Sequence, residues 1–126
     1  EIISIRTNGF GDTVLVVDGG EIVGFACCHQ GAGSEAGSTQ MVIKFAAVRT
    51  SGDAARHFTL LLGECEKFAA STGVCRLVAG TNTGRTAAYE AMLEAGYKTW
   101  MNGIGMHKSG SGTYDLPGVF VIDDWR

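Results

Sequence analysis

Residues 46–73 read AAVRTSGDAARHFTLLLGECEKFAASTG: the end of a strand, a tight loop of small residues and a long amphipathic helix. Phe58, Leu61, Leu62, Cys65, Phe68, Ala69 and Thr72 recur at the i, i+3, i+4, i+7 spacing that lines one helix face. Gly73 supplies the left-handed residue that ends a helix at low cost. Before the helix, Arg49, Thr50, Ser51, Gly52, Asp53, Ala54 and Ala55 would let a ligand approach the backbone. The unpaired N–H donors of the first helical turn and the positive end of the macrodipole together favour an anion there. Ser51 or Asp53 acting only as a helix cap is the competing reading.

Outward from this stretch the chain alternates between strands and turns. Ile2, Ile3 and Ile5 with Arg6 read as a short strand, and residues 8–11 (NGFG) as a turn into the β-branched run 13–18. Gly19-Gly20 is a hairpin signal, residues 21–30 (EIVGFACCHQ) the returning strand, and 31–38 a loop. Residues 39–48 (TQMVIKFAAV) are the next strand, with Met41, Ile43 and Phe45 expected on one face and Val42 and Lys44 on the other. After the helix, 75–79 (CRLVA) has the continuous apolar character of a central strand, and a helix between two such strands implies parallel pairing. Asn82 or Thr83 is expected to cap a second helix over 84–95, with Ala88, Met92 and Ala95 on its inner face and Gly96 closing it. Residues 98–107 and 118–123 read as two further strands, the first weakened by Gly103 and Gly105. The order describes a mixed, mostly antiparallel α/β sheet of about seven strands with one parallel β-α-β crossover and helices packed on it.

Composition narrows the function. With 126 residues, 45% apolar and 18% charged, the chain is one domain with a real core. A net charge of −3 and no block of Lys or Arg argue against nucleic acid, and no apolar run approaches the ~20 residues of a membrane span. Cys27, Cys28, Cys65 and Cys75 form no CxxC pair and lie in apolar patterns, which predicts buried free thiols in a reducing cytoplasm. His29, His57 and His107 show no metal-ligand spacing, so no metal is expected.

Two blocks of residues resemble the GNAT superfamily of acyl-CoA-dependent N-acetyltransferases. Arg49-Thr50-Ser51-Gly52-Asp53-Ala54 is similar to the family's phosphate loop, Arg/Gln-x-x-Gly-x-Gly/Ala, although Ala54 stands where Gly is common and Asp53 adds a negative charge. Leu77-Val78-Ala79, Asn82, Tyr89 and Gly96-Tyr97 resemble its second block, a strand, an Asn, and a helix carrying a Tyr and ending in Gly-aromatic. Together the blocks span 12–107. The resemblance implies acetyl-CoA as co-substrate and direct transfer of an acetyl group to the primary amine of a small molecule or peptide. It also implies that the strands on either side of the helix splay, leaving the backbone of Phe45, Ala46, Ala47 and Val48 and of Val78, Ala79 and Gly80 to bind the pantetheine arm. An N–H at Ala46 or Ala47 would then stabilise the oxyanion. Tyr89 is the candidate general acid, although counting back from Gly96 points to Met92, and Asn82 either caps its helix or touches the cofactor. Glu21, His29, Glu35, Asp123 and Asp124 are the polar candidates for a general base, and spacing singles out none.

One departure concerns the acceptor side. The family places two helices between its first and second strands, whereas only residues 6–12 separate Ile5 from Thr13 here. Those helices are therefore absent, or the first element is not a strand. With Glu1 in first position, the expectation is a trimmed chain or one half of a tandem protein, the acceptor side coming from a missing N-terminal half or a homodimer partner. The alternative function is a non-catalytic domain of the same fold that binds acyl-CoA or a protein partner.

Overall fold

The computed structural model describes residues 2–105 and 116–123. Its elements are α1 (Ile2–Asn8), β1 (Gly11–Asp18), β2 (Glu21–Gly31), β3 (Gly37–Val48), α2 (Ala54–Ser71), β4 (Leu77–Ala79), α3 (Thr86–Glu94) and β5 (Val121–Asp123). β1, β2 and β3 form an antiparallel meander, and β4 joins β3 in parallel through Met41–Leu77, Val42–Val78 and Ile43–Ala79. The mixed, mostly antiparallel sheet with one parallel pair is thus as the sequence predicts. Among the described residues it has five strands instead of seven.

Sequence chemistry accounts for the meander. Gly19 and Gly20 both have positive φ, +57° and +82°, as a two-residue turn matched to the twist of a hairpin requires. At the other end of the hairpin, Gly11 has φ +142° and an added Cβ would lie 1.9 Å from the Cys28 carbonyl oxygen. Gly11→Ala is therefore expected to cost at least about 1–3 kcal/mol in urea unfolding, from the backbone conformation alone. A stability equal to wild type would contradict this register.

α2 lies across β1–β4 and against α3. Phe58, Leu61, Leu62, Cys65 and Ala69 pack with Ala26, Cys28, Met41, Ile43 and Ala46, the helical stripe read from the sequence. Cys28 and Cys65 meet in that core with sulfurs 4.0 Å apart, and the contact together with burial pushes the Cys65 thiol far above its ordinary range. Cys75, expected to be buried, is exposed. Gly73 and Gly96 end the two helices with φ +81° and +95°.

Four expectations are corrected. Residues 2–8 are helical, because Ile5 alone is buried (1% exposed) while Ile2 and Ile3 face outward; α1 packs this one side chain against β1 and β2. Phe45 leaves the face of Met41 and Ile43, since the register slips between Cys27–Phe45 and Cys28–Ile43 and the bulge reverses the alternation. Ala46 and Val48 take the core positions instead, and Phe45 stacks on Phe25 at 5.8 Å. Residues 98–105 form no strand, and 106 and 107 lie outside the described residues. α3 starts at Thr86 with Arg85 at the cap position, so neither Asn82 nor Thr83 caps it. No helix among the described residues is long and apolar enough to cross a membrane.

Candidate functional site

β3 is longer than its parallel partner, and this creates the site. Pairing with β4 ends at Ile43–Ala79, while β3 runs on through Phe45, Ala46, Ala47 and Val48 into residues 49–53 and the start of α2. The two parallel strands therefore part beside the beginning of a helix.

At that helix start Thr50, Ser51, Gly52 and Asp53 are exposed, and Ala54 is buried while Ala55 is exposed. Ser51 organises the turn: its Oγ accepts from the Asp53 N–H at 3.2 Å and its carbonyl from the Ala54 N–H at 3.2 Å. Asp53 occupies the cap position but makes no side-chain cap bond; its carbonyl accepts from the His57 N–H at 2.9 Å. The backbone N–H groups of Gly52, Ala55 and Arg56 find no acceptor among the described residues. A Cβ on Gly52 would meet nothing within 4 Å. Three open donors around small, exposed residues are the chemistry an oxyanion such as a diphosphate needs. Arg49 sends its guanidinium to Glu21, and its N–H bonds the Val23 carbonyl at 2.7 Å, so it anchors the loop to β2.

Sequence reading missed the clamp beneath this turn. Asp18, at the tip of the β1–β2 hairpin, pairs with Arg56 and lies 3.0 Å from Nε2 of His57, which is buried. The contacts span 38 and 39 residues and carry no motif. The hydrogen bond donated by Arg56, and then that donated by His57, hold the Asp18 carboxyl below its ordinary 3.8. A depressed carboxyl stabilises the fold fully above that ordinary value, and the contribution is lost as pH falls through its own lower pKa. In Arg56→Ala the Asp18 titration, followed by carboxyl-carbon NMR, is expected to move up toward 3.8. An unmoved titration would contradict the clamp.

The cleft between the parting strands is filled. The sequence reading leaves the backbone of Phe45–Val48 and Val78–Gly80 free, but β5 lies antiparallel on β3, pairing Phe45–Asp123, Ala46–Ile122 and Ala47–Val121. The Val48 N–H reaches the Phe120 carbonyl at 3.4 Å, and the antiparallel alternation then turns the polar groups of Ala46 toward Ile122 and those of Ala47 toward β2. Of the two proposed oxyanion donors, Ala46 alone faces the cleft. On its other side β5 is held by the β4 arm: the Asp123 N–H donates to the Gly80 carbonyl at 3.0 Å and the Thr81 hydroxyl to the Val121 carbonyl at 3.0 Å. Arg85 from the α3 cap meets the Asp123 carboxylate at 2.9 Å, and both side chains are largely buried.

The remaining predicted residues are dispersed. The Tyr89 hydroxyl is 3.1 Å from the Thr99 hydroxyl, and Asn82 accepts from the Gly84 N–H at 2.8 Å in a local turn. Ala79 ends the parallel pairing. Among the candidate bases His29 and Glu35 meet, with Nδ1 3.1 Å from Oε1 and Lys44 at 3.0 Å from the other carboxylate oxygen. His29 pairs with Val42, four positions and roughly 13 Å along β3 from Ala46, too far to act on a carbonyl there. Glu21 is taken by Arg49, Asp123 by Arg85, and Asp124 lies outside the described residues. A cavity of about 500 Å³ follows β4 and residues 95–98, where Arg76 stacks 5.1 Å over Trp100 and burial pushes the Tyr97 hydroxyl above its ordinary range.

This arrangement defines a mixed α/β domain with a parallel strand pair opening beside a helix N-terminus. Among solved structures it is similar to TTHA1254 from Thermus thermophilus, with TM-score 0.58 and 22% identity over 79% of this chain and 72% of that one. A point mutant of TTHA1254 gives TM-score 0.60 at 22% identity, over 83% and 78% of the two chains. At that identity the likeness is one of fold. No family model matches the chain, and no curated protein matches it.

Proposed function

We propose that this chain is an acyl-CoA-dependent N-acetyltransferase domain of the GNAT type, which transfers acetyl to a primary amine by direct attack on the thioester. The observation that carries this reading is the coincidence of two features: β3 and β4 part after Ile43 and Ala79, and β3 leads straight into a turn with open donors at Gly52, Ala55 and Arg56. On this reading α1, which immediately precedes β1, stands in place of the acceptor-side helices, and β1–β4 correspond to the family's second to fifth strands.

The residues fit acyl-CoA in part. The turn at 49–55 suits a diphosphate, and Ala46 is directed at the cleft where a carbonyl oxygen would need a donor. The arm's path does not fit while Val121–Asp123 occupy it. Acetyl-CoA would supply an activated carbonyl whose carbon–sulfur bond breaks as the amine adds and loses its proton. The chain's part is to hold the phosphates at α2 and the carbonyl at Ala46. Tyr89, engaged by Thr99, stays a proposal for protonating the leaving thiolate.

The filled cleft favours a second reading, a non-catalytic domain of the same fold whose binding surface serves acyl-CoA or a protein partner. Incubation with acetyl-CoA and a panel of amines, reading free thiol, separates the two. Amine-dependent thiol release supports the enzyme; calorimetric binding of acetyl-CoA without release for any amine supports the second reading.

A further inference from the structure

We infer that β5 and an extended ligand compete for the cleft between β3 and β4, so that the cofactor arm gains Ala46 and Gly80 only when residues 121–123 leave. This rests on the acyl-CoA reading and adds regulation at the same site. β5 is three residues long and occupies the cleft as an added strand, bonded to β3 on one side and to Gly80 and Thr81 on the other. A pantetheine arm, with its alternating amide donors and acceptors, would use the same backbone groups in the same way. Both cannot be bound at once.

The docked strand is also built with a weak point. Oδ1 of Asp123 is buried and has no hydrogen-bond partner among the described residues, while Oδ2 holds Arg85. This buried carboxylate is thus held through one oxygen only, so the docking of 121–123 depends on the Arg85 contact and is loosened when that contact is lost. Phe120, by contrast, is anchored on Phe58 with ring centres 5.2 Å apart, so the segment can release 121–123 while Phe120 stays seated. The Pro117-Gly118 turn, where Gly118 has φ +72°, precedes this anchor.

Two substitutions loosen the strand at different points without touching the phosphate turn: Asp123→Ala removes the Arg85 pair, and Thr81→Val removes the hydroxyl bonded to Val121. Each is expected to tighten acetyl-CoA binding by about tenfold in calorimetry, because a larger fraction of molecules already has an open cleft. Hydrogen exchange at the Ile122 and Asp123 amides of the wild-type chain is expected to rise when acetyl-CoA is added. Affinity unchanged or weakened in both variants, or binding with no rise in exchange at those amides, overturns the competition and leaves the acyl-CoA reading standing. Absence of acetyl-CoA binding in all three proteins overturns that reading and the competition with it.

Discussion

On the proposed acyl-CoA reading, Gly52→Glu is expected to weaken acetyl-CoA binding severely and stop turnover while leaving the fold intact. No atom lies within 4 Å of where its Cβ would stand, and Gly52 is not among the glycines with positive φ, so the substitution meets neither a clash nor a strained backbone. Unfolding stability should change by less than ~0.5 kcal/mol, as at other open surface positions. Binding should weaken at least ~30-fold, since a carboxylate among the open donors repels a diphosphate and occupies its space, worth about 2 kcal/mol. Calorimetry and urea unfolding on the same preparation give both values. Full affinity in a folded Gly52→Glu protein would remove the turn from the site.

The largest stability effect should come from Phe58→Ala, at about 3–5 kcal/mol, out of a total of typically about 5–15 for such a domain. Phe58 is fully buried, belongs to the main core with Leu61 and Leu62, and stacks on Phe120, so it joins α2 to the segment that leads into β5. Removing the ring leaves a cavity that α2 cannot close without losing its contacts on the sheet. Urea unfolding with a loss below about 1 kcal/mol would contradict the packing of 116–123 on α2.

Local signals in the chain are legible. The Gly19-Gly20 hairpin, the stripe of α2, the glycines that end both helices and the parallel return at Leu77–Ala79 each depend on residues close in sequence or on one periodic pattern. The stretch at Ile2, Ile3 and Ile5 misleads because three isoleucines in so short a run fit a strand as well as a helix; the structure decides by burying Ile5 alone. The face of Phe45 is set by a bulge opposite Cys27 and Cys28, which no residue type at that point announces.

The site divides in the same way. The donors at 49–55 follow from small residues before a helix and are legible. Its other half is made of contacts between distant segments: Asp18 with Arg56 and His57, and Asp123 with Arg85, at sequence separations of 38, 39 and 38 residues, beyond the reach of any local pattern. Nothing in the local pattern of 118–123 shows that this strand chooses the cleft beside β3 over an outer sheet edge. The choice comes from Phe120 and Ile122, which complete the core against Phe58 and Ala46.

The most direct test of the account is an amide NMR titration of the folded chain with acetyl-CoA, read residue by residue. Gly52, Ala55 and Arg56 are expected to shift together, accompanied by Ala46, Gly80 and Ile122 as the cleft exchanges one occupant for the other. Shifts confined to the groove at Arg76, Tyr97 and Trp100, or no shifts at all, would contradict this.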